Sequence, residues 1–90
     1  MQIIKISAVW CPGCLVMRPI WKKLNEKYDL NIIEYDYDID EEEIKKYNVG
    51  DLLPVIIFND DAGNEIKRIT GEKKFDELDK MINDYLDKGV

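Results

Sequence analysis

The sequence predicts an α/β domain: a four-stranded mixed sheet flanked by three helices, in the order β-α-β-α-β-β-α. Three observations carry this expectation. Apolar runs with the period of a strand alternate with stripes at the period of a helix. A helical stripe separates the first two strand candidates, which implies a parallel crossover. Only a short polar turn separates the last two, which implies an antiparallel hairpin.

Ile3, Ile4 and Ile6, followed by Ala8 and Val9, form an apolar run that reads as a buried strand. Beyond the cysteines, Met17, Ile20, Trp21, Leu24 and Tyr28 recur at helical spacing. Pro19 falls inside that stripe. It lacks a backbone donor, and because the periodicity continues past it, a bend is expected there instead of a stop. Asn31 to Asp38 alternates Ile33, Tyr35 and Tyr37 with Glu34, Asp36 and Asp38, as a strand does. Asp40 and Glu43 are spaced as a capping box for a short helix. Glu41 to Glu43 at its start and Lys45 and Lys46 at its end suit the helix dipole. Asn48 and Gly50 tolerate left-handed geometry where it stops. Val55 to Phe58 reads as a second buried strand, and Asn59 to Asn64 as a solvated turn that includes Asp60 and Asp61. Glu65 to Thr70, charged at Lys67 and Arg68, reads as an edge strand. Phe75, Leu78, Ile82, Tyr85 and Leu86 give a closing amphipathic helix. Tyr28 and Tyr47 read as core aromatics with outward hydroxyls.

The 90 residues suit a single domain over 1–90, with 46% apolar residues and 36% charged. A net charge of -6 argues against nucleic acid and against anionic lipid as partners. No run approaches the ~20 apolar residues of a membrane span. No basic stretch precedes a long apolar run, so the expected setting is the cytoplasm.

The two cysteines, Cys11 and Cys14, enclose Pro12 and Gly13 at the handover from the first strand to the first helix. Unpaired N–H groups and the positive end of the dipole gather there and favour a thiolate. Pro12 suits the first helical position, where its missing donor costs nothing. Cys14 lies one turn on, within reach of a disulfide. The expected arrangement is an exposed attacking sulfur at Cys11 with a more protected resolving thiol at Cys14. A structural zinc site would need four ligands, and the chain has no second cysteine pair and no histidine. Two inert buried thiols are the plainer alternative. A permanent staple across so small a loop would gain little.

The segment WCPGC resembles the thioredoxin signature Trp-Cys-Gly-Pro-Cys with its central residues exchanged. Pro19 matches the proline that kinks the active-site helix in that superfamily. KYNVGDLLPVIIF is similar to the segment leading into its cis-proline strand, and ITGEKKFDEL to its last strand, glycine and final helix. The resemblance covers nearly the whole chain. The first strand and helix of a full-length thioredoxin have no counterpart, so the implied fold is the minimal, glutaredoxin-sized thioredoxin-like form.

The resemblance implies a thiol-disulfide oxidoreductase that reduces protein disulfides without a cofactor, through a redox-active Cys11–Cys14 pair. It implies disulfide-containing protein substrates, a dedicated reductase and a monomer. By the same resemblance Pro54 is the cis-proline and Leu53 offers its backbone to substrate, with Trp10 and Gly71 beside them. A glutathione-linked glutaredoxin and a redox-idle binding module stay open as alternatives. Two departures stand out. Lys5 occupies the position of the family's buried aspartate, and Glu34 that of its partner lysine. This implies a charge-exchanged pair beneath the cysteines, the plain alternative being that both side chains reach solvent. Pro12 and Gly13, in exchanged order, are the residues implied to tune the redox potential.

Overall fold

The computed structural model describes residues 1–89. Its strands are β1 (Gln2–Ser7), β2 (Asn31–Asp36), β3 (Val55–Asn59) and β4 (Glu65–Thr70). Its helices are α1 (Pro12–Val16), α2 (Arg18–Tyr28), α3 (Glu41–Lys46) and α4 (Phe75–Asp87). The sheet order is β2-β1-β3-β4, with β1 parallel to β2 and antiparallel to β3, and β3 antiparallel to β4. The mixed sheet, the crossover and the terminal hairpin all match the expectation. None of the described helices is long and apolar enough to cross a membrane.

Three local details differ from the sequence reading. Four helical segments replace the three expected, because the stripe is divided at Met17. Pro19 has no N–H to close the turn onto Leu15, so α1 ends at Val16 and α2 begins at Arg18. The chain still rises through the break, since the Met17 N–H bonds the Gly13 carbonyl at 3.2 Å and the Trp21 N–H bonds the Met17 carbonyl at 3.0 Å.

The capping box is also not formed. Asp40 precedes α3, but its Oδ2 accepts from the Asp36 N–H at 2.8 Å. Asp36 Oδ1 in turn accepts from the N–H groups of Asp38 and Ile39 at 2.8 and 3.1 Å. Aspartates close to several free turn donors bond those in preference to the helix. At the end of α3, Asn48 alone turns left-handed, with φ 53°. The Asn48 and Val49 N–H groups return to the Lys45 and Ile44 carbonyls at 3.2 and 3.3 Å, so Gly50 is not needed.

The side-chain alternation of the strands divides the core into two clusters. Ile3, Ile56, Phe58 and Ile69 pack beneath Met17, Trp21 and Leu24 and against Leu78 and Ile82 of α4. Ile4, Ile6, Val55 and Ile57 gather with Ala8, Leu53 and Cys11, covered by Tyr35, Ile44 and Tyr47. Each large apolar side chain sealed in this way contributes about 1.5–3 kcal/mol. Every residue of β3 is buried, so this strand anchors both clusters.

Candidate active site

The first turn after β1 places the two sulfurs. The Cys11 N–H bonds the Ala8 carbonyl at 3.2 Å, which folds the chain back at the sheet's end. Cys11 then takes the cap position with φ -87° and ψ 111°, and Pro12 opens α1. The Cys14 N–H donates to Cys11 Sγ at 3.2 Å. Thus the cap is a sulfur where serine or aspartate would ordinarily offer oxygen. Both cysteines are free thiols.

The two sulfurs differ in surroundings, and in the opposite order to the one expected. Cys11 is the buried one, 4% exposed, because its side chain folds back over the turn into the cluster of Ala8, Leu53 and Val55. Cys14 is only half-buried. It lines a cavity of about 90 Å³ together with Lys5, Met17, Trp21, Glu34 and Pro54. Burial, and next a hydrogen bond with the Cys11 sulfur, push the Cys14 thiol up to about 11. A bond from the Ala8 backbone and the charge of Lys5 offset part of this.

The loop before β3 packs against the dithiol. The Leu53–Pro54 peptide is cis, and both side chains are buried. A Cβ placed on Gly13 would lie 3.7 Å from Pro54 Cδ. Gly71 has φ 86°, a conformation that side chains resist, and its N–H bonds the Pro54 carbonyl at 2.9 Å. Neither the N–H nor the carbonyl of Leu53 meets a backbone partner among the described residues. Trp10 stands at the lip, 55% exposed. Its Nε1 donates to Asp38 Oδ2 at 2.7 Å, and its ring meets Tyr37 edge-on at 6.0 Å.

Lys5 and Glu34 are register partners across β1 and β2, and Lys5 Nζ lies 2.8 Å from Glu34 Oε2. Lys5 is largely sealed, 5.3 Å from the Trp21 ring, while Glu34 keeps 56% of its side chain in solvent. The pairing expected from the sequence is therefore formed, but only its cationic half is buried. Sequence reasoning missed Asp38, which holds Trp10, and Ser7, whose hydroxyl donates to Glu34 Oε1 at 3.3 Å. The strand alternation read Asp38 as one more outward carboxylate, and only the folded loop shows its partner.

A family model described as "Thioredoxin" matches residues 1–84. The chain belongs to the thioredoxin family. Thioredoxin H2-1 of Oryza sativa subsp. japonica is 33% identical over 82 residues, covering 90% of this chain and 57% of its own length. The thioredoxin of Borreliella burgdorferi is 33% identical over 84 residues, covering 92% of this chain and 71% of its own. The chain thus spans little more than half of the rice thioredoxin. In fold it is similar to thioredoxin 1 of Thermosipho africanus, with a TM-score of 0.85 over 99% of this chain and 98% of that one, at 24% identity. Thioredoxins are thiol-disulfide oxidoreductases, and the Cys11–Cys14 pair of this chain lies within the matched residues.

Proposed function

We propose that this chain reduces disulfides in partner proteins, with Cys11 attacking and Cys14 resolving, as a single domain over 1–90. The observation that carries this reading is the asymmetry of the pair. Cys11 Sγ accepts a backbone N–H at 3.2 Å, a bond that strengthens when the sulfur is negative. Cys14, pushed up to about 11, keeps its proton near neutral pH. One sulfur is thereby fitted to attack and the other to wait. The 4% exposure of Cys11 limits it to substrates whose disulfide is brought into the groove.

In the first step the Cys11 thiolate attacks one sulfur of the target disulfide. A Cys11–target bond forms, the target S–S bond breaks, and the departing thiolate takes a proton from water. Cys14 then gives up its proton and attacks Cys11 Sγ. The Cys11–Cys14 bond forms as the second target sulfur leaves and is protonated. The target gains two electrons and two protons, and the chain is left oxidised. A dedicated reductase restores the dithiol, and no cofactor takes part.

The proton of Cys14 has a route through the cavity it shares with Lys5 and Glu34. Glu34, held by its ion pair with Lys5 at 2.8 Å, accepts it by way of water. An identical pH dependence of cysteine alkylation in the parent, Lys5→Met and Glu34→Gln would end this role.

Docking uses the free backbone of Leu53 as a short strand addition. Trp10, Pro54 and Gly71 rim the groove, and Pro12 and Gly13 set the turn that presents Cys11. The reading places the chain in the cytoplasm as a monomer, where thiols stay reduced.

Insulin reduction driven by dithiothreitol tests the whole scheme. Cys11→Ser should fall to the uncatalysed rate, and Cys14→Ser should accumulate a mixed disulfide with its target. A Cys11→Ser variant as fast as the parent rules the scheme out. Turnover driven by glutathione alone, at a rate matching that with dithiothreitol, would favour a glutaredoxin-like role instead.

A further inference from the structure

We propose that Glu72 selects cationic substrates: it binds a Lys or Arg that flanks the target disulfide on an extended segment. This rests on the reductase reading above and adds to it the charge of the preferred partner.

Glu72 follows Gly71 in the loop between β4 and α4 and is exposed. The left-handed turn at Gly71, tied to the Pro54 carbonyl at 2.9 Å, carries this loop over the dithiol. A Cβ placed on Gly13 would lie 3.6 Å from Glu72 Cβ and 3.7 Å from Glu72 Oε1. The carboxylate therefore stands directly over Gly13, one of the two residues between the cysteines. Among the described residues it enters no salt bridge and no side-chain hydrogen bond. It is a charge at the mouth of the site without a partner of its own.

The surroundings match such an occupant. Trp10 and Leu52, 55% and 60% exposed, offer apolar contact on the same rim, Leu52 lying 3.7 Å from a Cβ placed on Gly71. The Asp38 carboxylate at this rim is already engaged by Trp10, which leaves Glu72 available. Of the cations lining the Cys14 cavity, Lys5 is paired with Glu34, and Arg18 opens α2. Lys74, close to Glu72 in sequence, is at the cap of α4. The net charge of -6 draws a cationic partner from a distance, and Glu72 orients it at contact. An apolar residue beside the target cysteine and a basic one next to it would meet Trp10 or Leu52 and Glu72 together.

Two self-quenched peptide disulfides test this. They share an apolar residue beside the cysteine and differ in one flanking position, Lys or Glu. Dithiothreitol supplies electrons, and the uncatalysed rate is subtracted. The parent should favour the Lys peptide in kcat/KM by about threefold to fivefold at low salt, the size of one solvent-exposed charge contact, with the preference fading as salt rises. Glu72→Gln should bring the ratio close to one. Asp84→Asn, which removes an exposed charge on α4, should keep the parent ratio. An unchanged ratio in Glu72→Gln, a parent ratio at or below one, or an equal loss in Asp84→Asn overturns the assignment. Cys11-independent reduction, or no reduction of either peptide, overturns the reductase reading itself and this inference with it.

Discussion

The two faces of the sheet are built to different depths. On one, the long helices α2 and α4 seal Ile3, Ile56, Phe58, Leu78 and Ile82 to complete burial. On the other, a single six-residue helix, α3, lies over Ile4, Ile6 and Ile57, which are sealed as fully, but it contributes no buried side chain of its own. Cys11 belongs to this second, thinner cluster. A redox turn must open for a target and close again, and such segments come from the less stable parts of a fold. The thick face therefore holds the molecule together while the thin one is left to work.

The largest effect is expected from Phe58→Ala, in the thick cluster. It should cost about 3–5 kcal/mol, read as a lower urea midpoint at unchanged slope. The fraction still folded should reduce insulin at the parent rate. Ile44→Ala, on the inner side of α3, should cost only about 1–2 kcal/mol because the residue is partly buried, yet it should change the alkylation rate of Cys11. Equal losses from the two variants, with unaltered Cys11 reactivity, would break the contrast between faces.

Cys14 gives a smaller, alkaline signature. Its thiol is raised from 9.0 to about 11 by burial and by the Cys11 sulfur. The folded chain thus holds this proton more tightly than the unfolded one. The resulting stability is complete below about pH 9 and is lost as pH rises toward 11. Partial exposure screens the effect to about 1 kcal/mol. Urea midpoints between pH 8 and 11 should fall less steeply in Cys14→Ser, and parallel curves would contradict this.

The smallest effect is the tie between α2 and α4. Asp79 Oδ1 accepts from the Tyr28 hydroxyl at 2.6 Å and from Lys27 Nζ at 2.9 Å. Those bonds, the Tyr28 one foremost, hold the Asp79 carboxyl below its usual range. Its contribution is present above the ordinary aspartate value and disappears as pH falls through the lowered one. Asp79→Asn should therefore soften acid unfolding slightly without touching insulin reduction. A loss of turnover in Asp79→Asn would show that the two faces are coupled.

Much of this was legible in the sequence, because it depends on local pattern. The strand runs, the hairpin turn and the stripe of α4 each bury a face that periodicity alone reveals. The address of the cysteines followed from where one period gives way to the other. What escaped depends on competition or on distance along the chain. Asp40 had two sets of donors within reach, and the turn won over the helix. The burial order of Cys11 and Cys14 is set by Leu53 and Val55, which approach from β3 and the loop before it. The Lys5–Glu34 pair was expected from the family resemblance, but not that Glu34 keeps 56% of its side chain in solvent, and Glu72 over Gly13 required a contact between positions 59 residues apart.

The molecule's two tryptophans fall one on each side of this divide, Trp21 5% exposed in the thick cluster and Trp10 55% exposed at the lip. An indole in a dry setting emits at shorter wavelength than one in water, so the two rings give separable fluorescence. Trp10→Phe leaves a gauge of global unfolding, and Trp21→Phe leaves one that responds to target arrival. The chain can thus report by its own light, without any attached dye, whether it has been occupied or has come apart.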